Sequence, residues 1–258
     1  MTLKPVKALR AATDSAAGVG SRERIVVEAE RLFGALGFDG ASMRQVAEAA
    51  DVPLALVSYH FGSKEGLYRA VFDRRVPTVV EQRMTGLAIA MSEPDLDRRL
   101  ELVVKALVFP MLHLRAHDRD PSFGRLLAHE TMDPNSDGRG FIREMFDPVA
   151  RAVFDALASA LPGRAESEVW WAYQFMLGAM VYVMGDTGRI ERLSGGLCRP
   201  DDEESAVRHM VAFLTAGLRG APPAAGKEKT RSKSRRGKAN ATGDVSKRKR
   251  SAARGRAD

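Results

Sequence analysis

Between Ser42 and Lys64 the sequence starts a helix, stops it, turns sharply and starts another, and few folds accept two such short helices in succession. Ser42-Met43-Arg44-Gln45 has the S-x-x-Q form of a capping box, in which serine and glutamine side chains satisfy amides that a helix start leaves unpaired. The helix it opens, Met43 to Ala50, carries Val46, Ala47 and Ala50 on one side. Asp51-Val52-Pro53 then breaks the pattern: aspartate tolerates left-handed backbone, and Pro53 suits a first helical position. A second short helix is expected over Leu54 to His60, ended by Gly62-Ser63. Ser63 can cap a longer helix running from Lys64 toward Met91, which Pro77 should kink or split. Two short helices joined by a turn of about three residues make a helix-turn-helix. The second can project into a major groove roughly 12 Å wide.

The remaining periodicity is helical as well. Behind a candidate N-cap at Ser21, the residues Ile25, Ala29, Leu32 and Leu36 form one face of a helix over about 22–36, with Gly37 as its stop. Further helices are expected over Leu96 to Ala116 (interrupted by Pro110), Ser122 to Met132, Phe141 to Leu161 (with Pro148 inside), Glu166 to Ile190 and Asp202 to Leu218. Residues 133–138 and 194–196 read as loops. Asp202, Glu203 and Glu204 sit at the positive end of the last helix. The expected fold class is all-α: a three-helix N-terminal helix-turn-helix domain over 21–75 and a larger helical domain over 76–219. Residues 1–20, with Lys4, Lys7 and Arg10, read as a flexible basic arm. Residues 220–258 read as a disordered Lys/Arg-rich tail, because so little apolar surface cannot offset chain entropy.

Charge narrows the function only after it is divided along the chain. The net charge is +7, but residues 220–258 hold thirteen Lys/Arg against three acids, leaving 27 basic and 30 acidic groups over 1–219. Global charge therefore says nothing about DNA binding by the body, and local pattern has to. The single cysteine, Cys198, excludes an intrachain disulfide and a cysteine-rich metal site, fits a reducing cytoplasm, and reads as an inert thiol. No apolar run approaches the roughly 18 residues that cross a bilayer, and the N-terminus lacks a secretory apolar core. No membrane partner is expected.

Nothing points to catalysis. His129-Glu130 has no second histidine at i+4, and neither a G-x-x-x-x-G-K-[ST] phosphate loop nor a G-x-S-x-G elbow is present. His60, His113, His117, His129 and His209 are scattered without an evident acid partner. No catalytic residue, metal ligand or cofactor is expected.

Residues 22–75 resemble the N-terminal domain of the TetR family of bacterial repressors. The stretch reads RERIVVEAERLFGALGFDGASMRQVAEAADVPLALVSYHFGSKEGLYRAVFDRR, and the specific parts are "A…LF…G", "S-x-R-x-V-A-x-A-A" and "Y-H-F-G-S-K-E-x-L". The chain departs from the pattern at Asp51, where glycine is usual, at Pro53, where serine is frequent, and at Ser58, where the family commonly has the first of two aromatics. Farther on, "LVFPMLHL", "FGRLLAHE", "WWAYQFMLGAM" and "LSGGL" resemble the C-terminal domain of a fatty-acid-responsive subgroup.

The resemblance implies a homodimeric repressor that binds double-stranded operator DNA and is released by a small apolar effector, a fatty acid or acyl-CoA among the candidates. Lys64 would touch a backbone phosphate from a helix start, and Ser42 and Arg44 a phosphate or base edge. Leu54 and Ala55 would meet thymine methyls, Ser58 lies on the same helix, and Tyr59 and His60 would bond to phosphates, while Val57 and Phe61 face the core. Arg22, Arg24 and the arm can follow flanking phosphates. Phe109, Met111, His113, Leu127, His129, Trp171, Phe175 and Met176 are candidates for an effector pocket, with plain core packing as the competing reading. The helices at 141–161 and 166–190 are expected to form the dimer interface. A helical ligand-binding module, or a nucleic-acid binder driven by the tail cluster Lys247-Arg248-Lys249-Arg250, remains as an alternative.

Overall fold

The computed structural model describes residues 6–117, 120–185, 188–199 and 201–221, with backbone alone over 6–19. The side chains of Lys4, Lys7 and Arg10 and residues 222–258, with the Lys247–Arg250 cluster, lie outside the described residues. Among the described residues the chain is helical and has no strand. The helices are α1 (Val6–Gly40), α2 (Met43–Ala49), α3 (Leu54–Phe61), α4 (Lys64–Ser92), α5 (Leu96–His117), α6 (Ser122–Met132), α7 (Ser136–Arg139), α8 (Phe141–Ala160), α9 (Glu166–Met184), α10 (Arg189–Leu193) and α11 (Glu203–Gly220).

Several boundaries move from where periodicity puts them. α1 begins at Val6, so Ser21 lies inside it and is not its cap. Ala8, Ala11, Ala12, Ala16 and Ala17 give that segment high helix propensity without any apolar face for periodicity to detect. Helical geometry does break at Gly37, whose φ of 71° needs glycine. Pro53 is the N-cap of α3, one residue outside it, and α3 runs to Phe61. Pro77, Pro110 and Pro148 all lie inside unbroken helices. Each forfeits one backbone hydrogen bond, offset at Pro77 by the buried Val76 and Val79 beside it. α7 occupies the second half of the loop expected over 133–138. α9 ends at Met184, capped by Gly185, not at Ile190, and a separate short α10 follows.

Two apolar clusters hold these helices together. Ile25, Phe33, Val46, Val57, Leu67 and Phe72 of α1–α4 share one cluster with Phe123, Leu126, Phe141 and Met184. The helix-turn-helix is thus seated on α6, α8 and α9 and has no sealed core of its own. Gly34 permits the approach of α6, because a Cβ there would fall 2.4 Å from the carbonyl oxygen of Ser122. The second cluster joins Leu100, Val104, Leu107, Val153, Leu157, Met176 and Leu214 of α5, α8, α9 and α11.

Candidate nucleic-acid interface and ligand cavity

The motif between Ser42 and Ser63 is built from local bonds. Ser42 Oγ accepts from the Gln45 amide at 3.2 Å, and Gln45 Oε1 accepts from the Ser42 amide at 2.9 Å, closing both arms of the capping box. Asp51 takes φ 51°, the one positive value at a non-glycine residue among those described. Ser63 Oγ accepts from the Gly66 amide at 3.1 Å and starts α4. Val46, Ala47 and Val57 are buried, which fixes the crossing of α2 and α3 and leaves the opposite face of α3 in solvent.

That face carries Leu54, Ala55, Ser58 and Tyr59, all exposed, with Tyr59 at 82%. Ser42 and Arg44 are exposed at the start of α2, Arg44 within 3.7 Å of Glu48. The structure therefore brings six of the eight sequence-derived DNA candidates to solvent. His60 does not follow: its ring is half-buried, and Nε2 is sealed from water with no hydrogen-bond partner among the described residues. It sits one residue past the outward face of α3. Lys64 is half-buried too, its Nζ 4.5 Å from the Phe38 ring and 3.4 Å from the Asp39 carbonyl oxygen. Arg22 lies beside the motif, its guanidinium 5.2 Å from the ring of the partly buried Phe61.

The five sequence-derived effector residues are not brought together. Trp171 and Phe175 stack on each other at 5.6 Å and are 61% and 64% exposed. His129 is exposed beside Gly37, while Phe109 and His113 stack on α5. Met111 and Met176 are core residues. Instead, a cavity of about 420 Å³ opens among α4, α6, α8 and α9, lined by Arg83, Leu127, Phe146, Trp170, Tyr173 and Met180 among others. Of the wider set of candidates only Leu127 touches it. α9 is apolar nearly all round, and Trp170, Tyr173 and Leu177 line this cavity while Trp171 and Phe175 are exposed.

Arg83 is the buried charge of this cavity, whose lining also includes Thr131, Gln174 and the exposed Asp147 and Arg151. It is 3% exposed, donates from Nε to the Leu107 carbonyl at 3.2 Å and lies 3.4 Å from Met180 Sδ. Among the described residues no carboxylate pairs with it. Burial pulls its pKa down to about 10, which still leaves it a cation at neutral pH. An unpaired buried charge is costly, and a ligand that supplies the missing anion removes that cost. Sequence could have found it, since Val76, Val79, Arg83, Leu87 and Ala90 form one buried stripe on α4 in which arginine holds a core position.

Two more features depart from expectation. Glu203 gives His113 and His117 a shared acid partner, at 3.2 and 3.0 Å from their Nδ1 atoms. Among the large apolar side chains of α8, α9 and α11, those exposed are Trp171, Phe175 and Tyr182 on α9 and Phe213 on α11. The apolar residues of α8 turn inward, and its outer face is Arg143, Glu144, Asp147, Arg151 and Asp155.

Known proteins place this architecture. The profile for "Bacterial regulatory proteins, tetR family" matches residues 25–71, and that for "Tetracyclin repressor-like, C-terminal domain" matches 105–217. The chain is 28% identical over 95 residues to the probable HTH-type transcriptional regulator YttP of Bacillus subtilis, covering 37% of this chain and 46% of that protein. It is 42% identical over 79 residues to the HTH-type transcriptional regulatory protein RaaS of Mycobacterium tuberculosis, covering 31% and 35%. The chain thus spans less than half the length of either regulator. The crystal structure of AibR in complex with isovaleryl coenzyme A and operator DNA shares the fold, with TM-score 0.56 and 19% identity over 76% of this chain and 98% of AibR. With one profile on the helix-turn-helix and the other on the helices that seat it, the chain belongs to the TetR family of bacterial regulatory proteins.

Proposed function

We propose that this protein is a sequence-specific, DNA-binding transcriptional repressor and not an enzyme, working as a homodimer in the cytoplasm and released from its operator by an apolar acid or its thioester. The observation that carries this reading is α3, a short helix anchored by buried Val57 that holds Leu54, Ala55, Ser58 and Tyr59 free of any other element. Residues 21–75 read the DNA, with Ser42, Arg44 and Lys64 on phosphates or base edges. Residues 76–219 hold the effector and pair the two chains. The arm at 1–20 and the tail at 220–258 add sequence-independent phosphate contacts through counterion release.

Dimerisation follows from the operator as well as from the exposed apolar side chains of α9 and α11. Two recognition helices have to meet half-sites about 34–36 Å apart, and an effector that favours another separation shifts the population away from DNA. Arg83 supports an effector with an anionic group on an apolar body, and the isovaleryl coenzyme A bound by AibR is of that broad class. The direct test selects genomic fragments with the full-length protein, footprints the winner, and then challenges the complex with free fatty acids and acyl-CoA thioesters. A defined protected site lost on adding one of these acids is the expected result. Enrichment of no sequence over bulk DNA would refute the reading.

A further inference from the structure

Where α5 meets the first turn of α11, two histidines converge on one carboxylate. His113 and His117 are four residues apart on α5, which puts both imidazoles on one face. Glu203 Oε2 lies 3.2 Å from Nδ1 of His113 and 3.0 Å from Nδ1 of His117. The three donor atoms all fall within 4.8 Å of one another. Donors about 2.0–2.1 Å from a tetrahedral Zn²⁺ stand about 3.4 Å apart, so two of the three edges are already close to that length.

The rings are held in place and the approach is open. Phe109 stacks on His113 with centroids 5.3 Å apart, and the two imidazole centroids are 4.3 Å apart. A cavity of about 1000 Å³ beside the cluster is bounded by His117, Glu203, Phe109 and the acids Asp201, Asp202 and Glu204. Around it the carboxylates, Glu101 included, outnumber the cations Lys105, Arg208 and Arg219, which favours the arrival of a cation, and the cavity admits water to whatever coordination positions the protein leaves free. Two neutral imidazoles that each donate to Glu203 would explain the distances without an ion. His117 Nδ1, however, also lies 3.1 Å from the His113 carbonyl oxygen, an acceptor within its own helix, so Glu203 is not needed to satisfy it.

We propose that His113, His117 and Glu203 form a three-ligand site for a divalent ion of the zinc class, fastening the first turn of α11 to the end of α5. Two imidazoles and a carboxylate suit Zn²⁺, Co²⁺ or Ni²⁺, whereas Mg²⁺ and Ca²⁺ take oxygen donors. Ligation through Nδ1 takes the neutral imidazole tautomer whose proton sits on Nε2. The residues are distinct from those lining the cavity beside Arg83.

The test titrates chelator-treated, full-length protein with Zn²⁺ by calorimetry and with Co²⁺ by visible absorption. Wild type should take up one ion per chain, with the strong bands of low-symmetry Co²⁺. His117→Ala and Glu203→Gln, both at solvent-accessible positions, should each weaken uptake by more than the roughly 100-fold that losing an outer-sphere partner costs at most, while His209→Ala should not. Far-UV circular dichroism checks that the variants stay folded. Absence of uptake by wild type, undiminished uptake by both site variants, or equal affinity for Mg²⁺ would each overturn the proposal.

Discussion

Tyr68 on α4 donates its hydroxyl to Oε2 of Glu130 on α6 at 3.0 Å, and both side chains are sealed from water. Burial first, and then the neighbouring Glu130 charge, push the phenol's pKa well up, so it stays a donor. Glu130 also accepts from Ser136 Oγ at 2.8 Å and from Arg139 Nη2 at 2.6 Å. The Arg139 guanidinium lies 4.8 Å from the Phe38 ring, to which Lys64 also points. A polar network buried on α6 is therefore continuous with the lysine at the start of α4.

Removing its centre should cost far more than removing its edge. Glu130→Ala leaves Arg139, 10% exposed, with Asp133 as its remaining counter-charge and takes the acceptor from buried Tyr68 and Ser136, and the expected loss is about 3 kcal/mol. Tyr68→Phe removes one hydrogen bond from the same carboxylate, for about 1 kcal/mol. Urea denaturation of both variants measures the difference, and equal losses would mean that Glu130 does not hold the network together.

Tyr59 and Lys64 should weaken operator binding in different ways. Tyr59→Ala removes a side chain 82% exposed on α3, so operator affinity should fall with no change in stability. Lys64→Ala should reduce the slope of log affinity against log salt by about one. It should also cost stability of about 0.5–1 kcal/mol, because its ammonium leans on Phe38. Binding isotherms at several salt concentrations separate the two. A Lys64 variant with an unchanged salt slope would remove it from the phosphate contacts.

What was legible in the sequence was what local chemistry decides. The capping box at Ser42, the left-handed Asp51, the break at Gly37 and the cap at Ser63 each depend on a few neighbouring residues, and the structure shows all four. The cavity and the outer apolar face were not legible, because a period of 3.6 identifies an apolar face only where a polar one contrasts with it. α9 offers no such contrast, so Trp171 and Phe175 read like core. The pairing of His113 with Glu203 spans 90 residues and leaves no local trace. Arg83 was the missed clue, a charge standing in the register of a buried stripe.

Arg83→Met should separate effector binding from folding. With no carboxylate partner among the described residues, the arginine destabilises the empty cavity, and an apolar replacement of similar length should be neutral or stabilising by about 1–4 kcal/mol. The same variant should lose affinity for apolar acids while keeping its operator. Thermal melts with and without a fatty acid report both effects. A variant that is less stable and still binds the acid would remove Arg83 from the role of anchor.

Two exposed bridges join the N-terminal helices to the rest and set a pH dependence. Arg69 donates to both oxygens of Glu144 at 2.9 and 2.6 Å, and Arg31 to Asp120 at 2.7 Å. The Arg69 hydrogen bonds, then its charge, hold the Glu144 carboxyl below its ordinary 4.5. For Asp120, burial works upward, but the bonds from Ser122 and Arg31 outweigh it and leave it below its ordinary 3.8. A depressed carboxyl stabilises the fold above its unfolded-state pKa and loses that contribution as pH falls through the folded value. The stability gap between wild type and Glu144→Gln should therefore be level at neutral pH and close as pH drops below 4.5. Salt should narrow it. A gap that survives full protonation would mean that the charge of Glu144 is not what matters.

Pairing through α9 and α11 can be tested apart from DNA. Trp171, Phe175 and Tyr182 recur at i, i+4 and i+11 along α9, and Gly178 between them has open space where a Cβ would stand, so another helix can come close. On α11, Phe213 is exposed beside Ala212, Ala216 and Gly217, which are also in solvent. A charge at the centre of such a face has no partner once the face is buried, so Phe175→Glu should convert the dimer to monomer in sedimentation equilibrium. Helix content should be unchanged, since the side chain packs on little of its own chain. Operator affinity should fall steeply, because a lone recognition helix forfeits the second half-site. Arg151→Glu on α8, also exposed and away from these side chains, is the control and should remain dimeric. If Arg151→Glu dissociates the dimer and Phe175→Glu does not, the chains pair through α8 instead.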